Sequence, residues 1–293
     1  MRVVACVVHP GRAAAVDAAE QAVRALVAQG LAVCVDSDDD PTERLRNAGA
    51  RHVALDEVSA EIVIAFGGDG TVLRAAEVSH AQHLPLLGVN LGHVGFLAEA
   101  DVDAIPVLVD AVVSQTYTVE KRMALSVQVE HPNGRHWQSW ALNEVGVERA
   151  GEPRIIELGV AIDGEPLSRY GGDGLVCATP TGSTAYAFSA GGPVIWAEVE
   201  AMCVVPVSAH ALFARPMIVA PSSEVTVEML SSTPAMLWAD GRRGESLTQG
   251  TRITVVRHAD DVLFARLHTS PFTRRLVAKF ELPLTGWRDR GRT

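Results

Sequence analysis

Apolar residues follow two rhythms along the chain. Residues 3–8 (VVACVV) form a continuous apolar run, the pattern of a strand buried on both faces of a parallel sheet. Residues 13–29 (AAAVDAAEQAVRALVAQ) carry Ala, Val and Leu at helical spacing and are followed by Gly30 at the C-cap position, which predicts a helix. Further strands are predicted over 31–35, 61–66 (EIVIAF) and 84–89 (LPLLGV), with a helix over 72–80. The acidic run Asp36–Asp40, ending at Pro41, reads as a solvated loop without the spacing of a calcium loop. Alternating strands and helices predict a doubly wound, Rossmann-like α/β domain over residues 1–116.

Beyond residue 116 the rhythm turns to alternating and β-branched runs: 124–130, 136–148, 155–162, 203–207, 217–220, 224–230, 252–256 and 261–267. Turn signals separate them, among them Pro132-Asn133-Gly134, Asp163-Gly164 and Asp240-Gly241. This predicts a β-rich, β-sandwich-like domain over 117–268. Helical spacing returns at 270–282 behind Ser270-Pro271, so 269–293 is expected to form a C-terminal helix and tail that pack back on the first domain.

Composition narrows the chemistry. Apolar residues make up 48% and aromatics only 5%, so the chain folds around a core of Val, Ala, Leu and Ile. The net charge of −10 argues against nucleic-acid and anionic-membrane partners, which select basic surfaces. Among the 25 cationic residues only Lys121 and Lys279 are lysines, and no Gly-Lys pair exists, which excludes a Walker-type phosphate loop. Cys6, Cys34, Cys177 and Cys203 form no CxxC pair and read as reduced thiols of a cytoplasmic protein. The uncharged run 174–197 is long enough for a membrane span, but Pro180, Pro193, Gly174, Gly182, Gly191 and Gly192 interrupt it, so it reads as the lining of a ligand site. No GxSxG elbow and no HExxH motif occur, and His80 and His83 lack a nearby third metal ligand.

Two constellations carry candidate chemistry. Gly67-Gly68-Asp69-Gly70-Thr71 lies between a strand and a helix, where glycines let the backbone approach a ligand and helix N–H groups face phosphate oxygens. Asp69 would repel a phosphate, and makes sense as the group that orients or deprotonates a hydroxyl or holds a nucleotide's metal; the alternative is an N-cap in a Gly-rich turn. Arg74, one turn into the helix, could reach a phosphate or stand solvated, and His93 in the strand exit at 90–97 could line the same cleft or merely pack. The second constellation joins Asn143-Glu144 to the block 173–193. Its hydroxyls, glycines and Tyr186 suit a neutral, polyhydroxylated, aromatic ligand such as a nucleoside, and a helix beginning near Ser183 or Thr184 could cap a diphosphate.

Together these residues resemble the NAD kinase family. The resemblance runs in order through GGDGT at 67–71, VNLGHVGFL at 89–97, E-x-R-M at 120–123, LNE at 142–144, DGLVCATPTGSTAYAFSAGGP at 173–193, HALFARP at 210–216, DGR at 240–242 and GWR at 286–288. GGDGT alone is shared with diacylglycerol-type lipid kinases, whereas the 173–193 block together with LNE is specific. The resemblance implies an NAD kinase/diacylglycerol kinase-like fold. It implies phosphorylation of the 2′-hydroxyl of the adenosine ribose of NAD by ATP with a divalent metal (magnesium, or manganese), giving NADP, with polyphosphate as an alternative donor. By motif, Asp69 would accept the hydroxyl proton, Gly70 would approach the ribose, and Gly67, Gly68, Gly70 and Thr71 would form the phosphate loop. Asn143, Glu144, Arg154, Asp173, Thr184, Ala185, Tyr186 and Ser189 would contact the nucleotides. Gly171 stands where some members have a basic residue, and Arg242 where Gln is common. The family further implies a homo-oligomer, dimer or tetramer, acting on small-molecule nucleotides with no nucleic-acid or membrane partner. A lipid or sugar kinase sharing GGDGT and a non-catalytic NAD-binding regulator are the competing readings.

Overall fold

The computed structural model describes residues 1–40, 42–90, 95–97, 100–101, 105–151, 154–267 and 271–284. It divides into two units, residues 1–121 with 262–293, and residues 122–261.

The first unit opens with β1 (Val3–Val8), α1 (Ala13–Ala28), β2 (Ala32–Val35), α2 (Arg44–Asn47), β3 (Arg51–His52), β4 (Ile62–Phe66), α3 (Asp69–Ala81), β5 (Leu86–Asn90), β6 (Ala100–Asp101), α4 (Ile105–Ser114) and β7 (Thr118–Arg122). β1 pairs in parallel with β2 and β4, and β4 with β5, so β1 and β4 are covered on both faces and their unbroken apolar sequences are fully used. α1 buries Ala15, Ala18, Ala19, Ala22, Val23 and Leu26 at three- and four-residue spacing, and Gly30, at φ +82°, turns the chain out of it. α4 has no counterpart among the predicted helices. Its sequence IPVLVDAVVS is so apolar and β-branched that its helical period is obscured.

The second unit contains β8 (Leu125–Glu130), β9 (His136–Ala141), β10 (Glu144–Arg149), β11 (Ile156–Ile162), β12 (Glu165–Gly172), β13 (Gly174–Ala178), α5 (Tyr186–Ser189), β14 (Met202–Val207), β15 (Met217–Val219), β16 (Val225–Met229), β17 (Ala235–Ala239), β18 (Arg243–Leu247) and β19 (Arg252–Arg257). They form two six-stranded antiparallel sheets, β15-β14-β13-β10-β17-β18 and β12-β11-β16-β19-β8-β9. Alternate residues of both sheets, such as Leu125, Val127 and Val129 from one and Val145, Val147 and Leu237 from the other, meet in one aromatic-poor core. Two of the expected turns, Asp163-Gly164 and Asp240-Gly241, carry positive φ at both residues; the first is a two-residue hairpin whose geometry matches strand twist, and the second opens a three-residue loop between Ala239 and Arg243.

The chain then returns to the first unit as β20 (Val262–Arg266) and α6 (Phe272–Phe280). β20 corrects the predicted boundaries. It and β7 join the first sheet, ordered β3-β2-β1-β4-β5-β20-β7, and Phe264 pairs in parallel with Leu86. A short apolar strand fits either sheet by its own pattern, and nothing local marks the crossing. The divisions expected after 116 and 268 therefore fall after 121 and 261. In α6, Phe272 and Phe280 set their rings 6.0 and 5.8 Å from Phe96, and Arg275 donates to the Phe96 carbonyl.

The acidic run after β2 is a second correction. Asp39 and Asp40 are buried, at 2% and 3% exposure. Asp39 accepts the Val8 N–H at 2.9 Å and pairs with the Arg74 guanidinium at 2.5 and 2.9 Å, while Arg74 also donates to the Val8 carbonyl at 2.6 Å. Asp40 accepts the Arg46 N–H and bonds His52. The carboxylates thus finish the backbone at the end of β1 and fix the turn after β2 to α3, because buried N–H groups need partners. Removing Arg74 would leave the Asp39 carboxylate buried and unpaired. We expect Arg74→Ala to lower the unfolding free energy by about 3 kcal/mol in urea denaturation; unchanged stability would show that this clamp does not hold the fold.

Candidate functional site

In the first unit the strand order reverses between β1 and β4. The chain leaves β1 toward β2 and β3, and leaves β4 toward β5. Ligands of doubly wound sheets bind at such a switch point, beyond the carboxyl ends of the strands. The GGDGT turn sits at this end of β4. A Cβ on Gly67 would stand 2.2 Å from Thr71 Oγ1, so only glycine lets Thr71 fold beneath the turn. Gly68 is the N-cap of α3 and Asp69 its first residue, and Asp69 makes no capping hydrogen bond, so the capping reading does not hold. Instead Asp69 Oδ1 accepts the Leu97 N–H at 3.3 Å. A Cβ on Gly95 would reach within 2.5 Å of the same oxygen, so Gly95 makes room for the carboxylate. Gly70 is exposed with open space where its Cβ would be. The Thr71 N–H bonds the Gly68 carbonyl at 2.9 Å, so the Asp69 and Gly70 N–H groups are the ones left at the start of α3, which favours an anion there. Arg74 is turned away, to Asp39 and the Val8 carbonyl; this corrects its expected role as a phosphate contact. His93 lies outside the described residues.

In the second unit the chemistry gathers at the start of β10. Asp240, in the β17–β18 turn, accepts the N–H groups of Leu142, Asn143 and Glu144 at 2.9, 2.7 and 3.3 Å and pairs with Arg243 at 2.9 Å. From the other side, Thr179 donates its hydroxyl to the Leu142 carbonyl at 2.5 Å and its N–H to the Asn143 carbonyl at 2.9 Å, while its oxygen accepts the Gly182 N–H at 3.0 Å. A Cβ on Gly182 would fall 2.0 Å from the Asn143 carbonyl oxygen, so glycine is required there. The Leu142-Asn143-Glu144 backbone is therefore held from both sides. Sequence reasoning saw Asp240 as a turn residue and part of the DGR match at 240–242, and Thr179 as a possible ligand hydroxyl. No local signal connects residue 240 to a segment 96–98 positions away.

Glu144 is buried, and its Oε2 has no hydrogen-bond partner. Burial, and then the charge of Asp240, push its carboxyl up to about 8, against the pull of the Tyr186 backbone N–H. Burial also raises Asp240, but its backbone donors and Arg243 oppose this. With three backbone donors and an arginine on Asp240 against one donor for Glu144, Glu144 is the carboxyl that keeps its proton. A neutral Glu144 can donate as well as accept a hydrogen bond.

The 173–193 block divides into scaffold and surface. Ser183 is buried, donates to the Pro180 carbonyl at 2.7 Å and accepts the Ile195 N–H at 2.9 Å, so with Thr179 it serves the protein backbone rather than a ligand. Thr184, Ala185 and Tyr186 are half-buried and Ser189 is exposed. The Tyr186 phenol is pushed up to about 12 by burial and a hydrogen bond to Glu148. Asp173 is half-exposed and held below the usual carboxylate range by Ser208 and by Arg149, the latter at 2.7 Å. Arg154 is exposed just before β11. The helix expected to cap a diphosphate is only a 3₁₀ turn, Gly182–Thr184, and the four-residue α5, too short for a useful dipole.

Two outcomes follow from this geometry. Thr179→Val keeps the shape but strands a buried carbonyl and N–H, and should cost about 1–3 kcal/mol in thermal or urea unfolding. Glu144 binds its proton more tightly folded than unfolded, so its contribution is full below pH 4.5 and is lost as pH rises toward 8. Stability measured from pH 4.5 to 8 should therefore fall by a few kcal/mol relative to Glu144→Gln; parallel curves would mean that Glu144 titrates alike folded and unfolded.

Comparison with known proteins adds independent findings. The ATP-NAD kinase N-terminal domain matches residues 4–117, and the ATP-NAD kinase C-terminal domain residues 142–267. NAD kinase 2 of Streptomyces avermitilis is 50% identical, covering 98% of this chain and 97% of that protein. The NAD kinase of Thermobifida fusca is 47% identical, covering 99% and 92%. The crystal structure of an NAD kinase from Archaeoglobus fulgidus in complex with ATP superposes with a TM-score of 0.71 at 26% identity, covering 96% of this chain and 99% of that one. Yeast NADH kinase complexed with NADH shares the fold, with a TM-score of 0.88 at 24% identity over 98% and 90% of the two chains. With both family domains in order and relatives matched along nearly their whole length, the chain belongs to the NAD kinase family and has the activity of an NAD kinase.

Proposed function

We propose that the chain transfers the γ-phosphoryl group of ATP to the 2′-hydroxyl of the adenosine ribose of NAD, with Asp69 as the general base. The observation that carries this reading is the Asp69 carboxylate at the first position of α3, kept clear of its own helix cap and lodged against Gly95. ATP in the Archaeoglobus fulgidus relative supports the choice of donor. The ribose oxygen attacks the γ-phosphorus, the bond to the β,γ-bridging oxygen breaks, ADP leaves, and the hydroxyl proton passes to Asp69. Transfer through a loose transition state is promoted mainly by positioning and charge neutralisation. In the turn of Gly67, Gly68, Gly70 and Thr71 the Gly67 and Thr71 N–H groups are taken by the Val89 and Gly68 carbonyls, so the N–H groups of residues 68–70 receive the phosphates without any lysine. Asn143, Glu144, Arg154, Asp173, Thr184, Ala185, Tyr186 and Ser189 bind NAD, with the protonated Glu144 donating to a ligand oxygen.

The divalent metal, magnesium or manganese, is best read as arriving with the triphosphate. No group of three or more His, Cys, Asp or Glu side chains that could hold a metal occurs among the described residues, and magnesium is commonly held by phosphates with one or two carboxylates. Inorganic polyphosphate is the alternative donor. A homo-oligomer is supported by the exposed apolar side chains Ile155, Leu167, Leu212, Phe213 and Ile218. A cytoplasmic location is supported by four free, buried cysteines. No described helix is long and apolar enough to cross a membrane.

The test is NADP formation from ATP, magnesium and NAD, detected with an NADP-specific dehydrogenase. A positioned base is worth about 10²–10⁴-fold, so Asp69→Asn should lose at least about two orders of magnitude in kcat while still binding NAD. Near-normal turnover in that variant would remove Asp69 from the role.

A further inference from the structure

We infer that Arg12 binds the phosphate chain of the phosphoryl donor and is the cationic side chain of that subsite. The inference rests on the kinase reading and adds a residue that neither the motifs nor the family resemblance singled out. β1 and β4 are hydrogen-bonded neighbours whose ends are paired, Val8 with Phe66. Their exits, residues 9–12 and 67–70, therefore stand side by side at the point where the strand order reverses. Arg12 closes the first exit as the N-cap of α1. Its guanidinium lies over the second, with Nη1 3.4 Å from where a Gly68 Cβ would be. A glycine at 68 thus leaves the Arg12 head room against the loop backbone, and two residues on, the space where a Gly70 Cβ would stand is open.

Two features make Arg12 the group for this task. It is exposed and, among the described residues, its side chain has no hydrogen-bond or ion-pair partner, so its five donors are available. The alternative cation in this neighbourhood, Arg74, is committed to Asp39 and the Val8 carbonyl. A guanidinium beside a loop of backbone N–H groups suits a polyphosphate chain, because its planar fork can bond two oxygens at once. The chemistry is shared by a nucleoside triphosphate and by inorganic polyphosphate, and the experiment separates them.

The test uses the full chain and steady-state kinetics with ATP and NAD varied in turn. Losing charge-assisted hydrogen bonds should raise the KM for ATP about ten- to hundredfold in Arg12→Ala, leave the KM for NAD within about twofold, and be partly rescued in Arg12→Lys. The unfolding midpoint should not move, because Arg12 has no partner within the described residues to lose. An unchanged KM for ATP, or equal rises for both substrates, would overturn the assignment. Calorimetric titration with magnesium tripolyphosphate reads the same residue without turnover. If the wild-type chain binds tripolyphosphate and Arg12→Ala does not, the assignment stands even where no NADP is formed, which would sink the kinase reading alone. Equal binding by both proteins would refute Arg12. Rescue seen with ATP but not with tripolyphosphate would place the contact on the nucleotide donor.

Discussion

A buried aspartate that satisfies backbone N–H groups at a strand end underlies each of the two candidate sites. Asp39 takes the N–H at the end of β1 and is neutralised by Arg74. Asp240 takes three consecutive N–H groups leading into β10 and is neutralised by Arg243. In both cases the carboxylate takes up N–H groups where a strand begins or ends, and the arginine lowers the cost of burying its charge. The ligand-facing parts inherit their positions from these clamps. The Arg74–Asp39 pair joins α3, whose first residue is Asp69, to the end of β1. The Asp240 turn fixes the backbone that presents Asn143 and Glu144. Breaking either clamp displaces several groups together, so the effects of neighbouring substitutions will not add.

The acidity of the chain acquires a physical meaning in this light. A chain of net charge −10 with only two lysines is poorly suited to bind polyphosphates through its bulk surface charge. Many of its arginines are tied to carboxylates, as in Arg2–Glu61, Arg44–Glu20, Arg149–Asp173 and Arg266–Glu120. Attraction for phosphates then comes from oriented backbone dipoles, from the metal that accompanies the nucleotide, and from a cation placed at the loop rather than a general basic field. Glu144 shows the opposite adjustment. A carboxyl kept neutral by burial and by a charged neighbour adds a hydrogen-bond donor to the site without adding another negative charge.

What could be read from the sequence was local. The apolar runs of β1 and β4, the amphipathic α1 and the Asp-Gly turns each announce themselves within a few residues, and all stand where the pattern put them. The Asp69 turn and the 173–193 block were also legible, because unusual residues are crowded into short stretches. Illegible were features whose partners lie far along the chain. The acidic run after β2 looked solvated because Val8 and Arg74, which occupy Asp39, are 31 and 35 residues away. Thr179 and Ser183 looked like ligand hydroxyls because their backbone acceptors cannot be inferred from spacing. The strand β20 has the pattern of either sheet, and only its pairing with β5 assigns it.

The central claim is that the 2′-hydroxyl of the adenosine ribose is the acceptor, and labelling the transferred group tests it most directly. The full chain would be incubated with γ-labelled ATP, magnesium and either NAD or 2′-deoxy-NAD, and the label located in the product. The account predicts label on the 2′-oxygen of NAD, in a product that an NADP-specific dehydrogenase accepts, and none on 2′-deoxy-NAD. Label transferred to the deoxy substrate, or to any other hydroxyl of NAD, would contradict it.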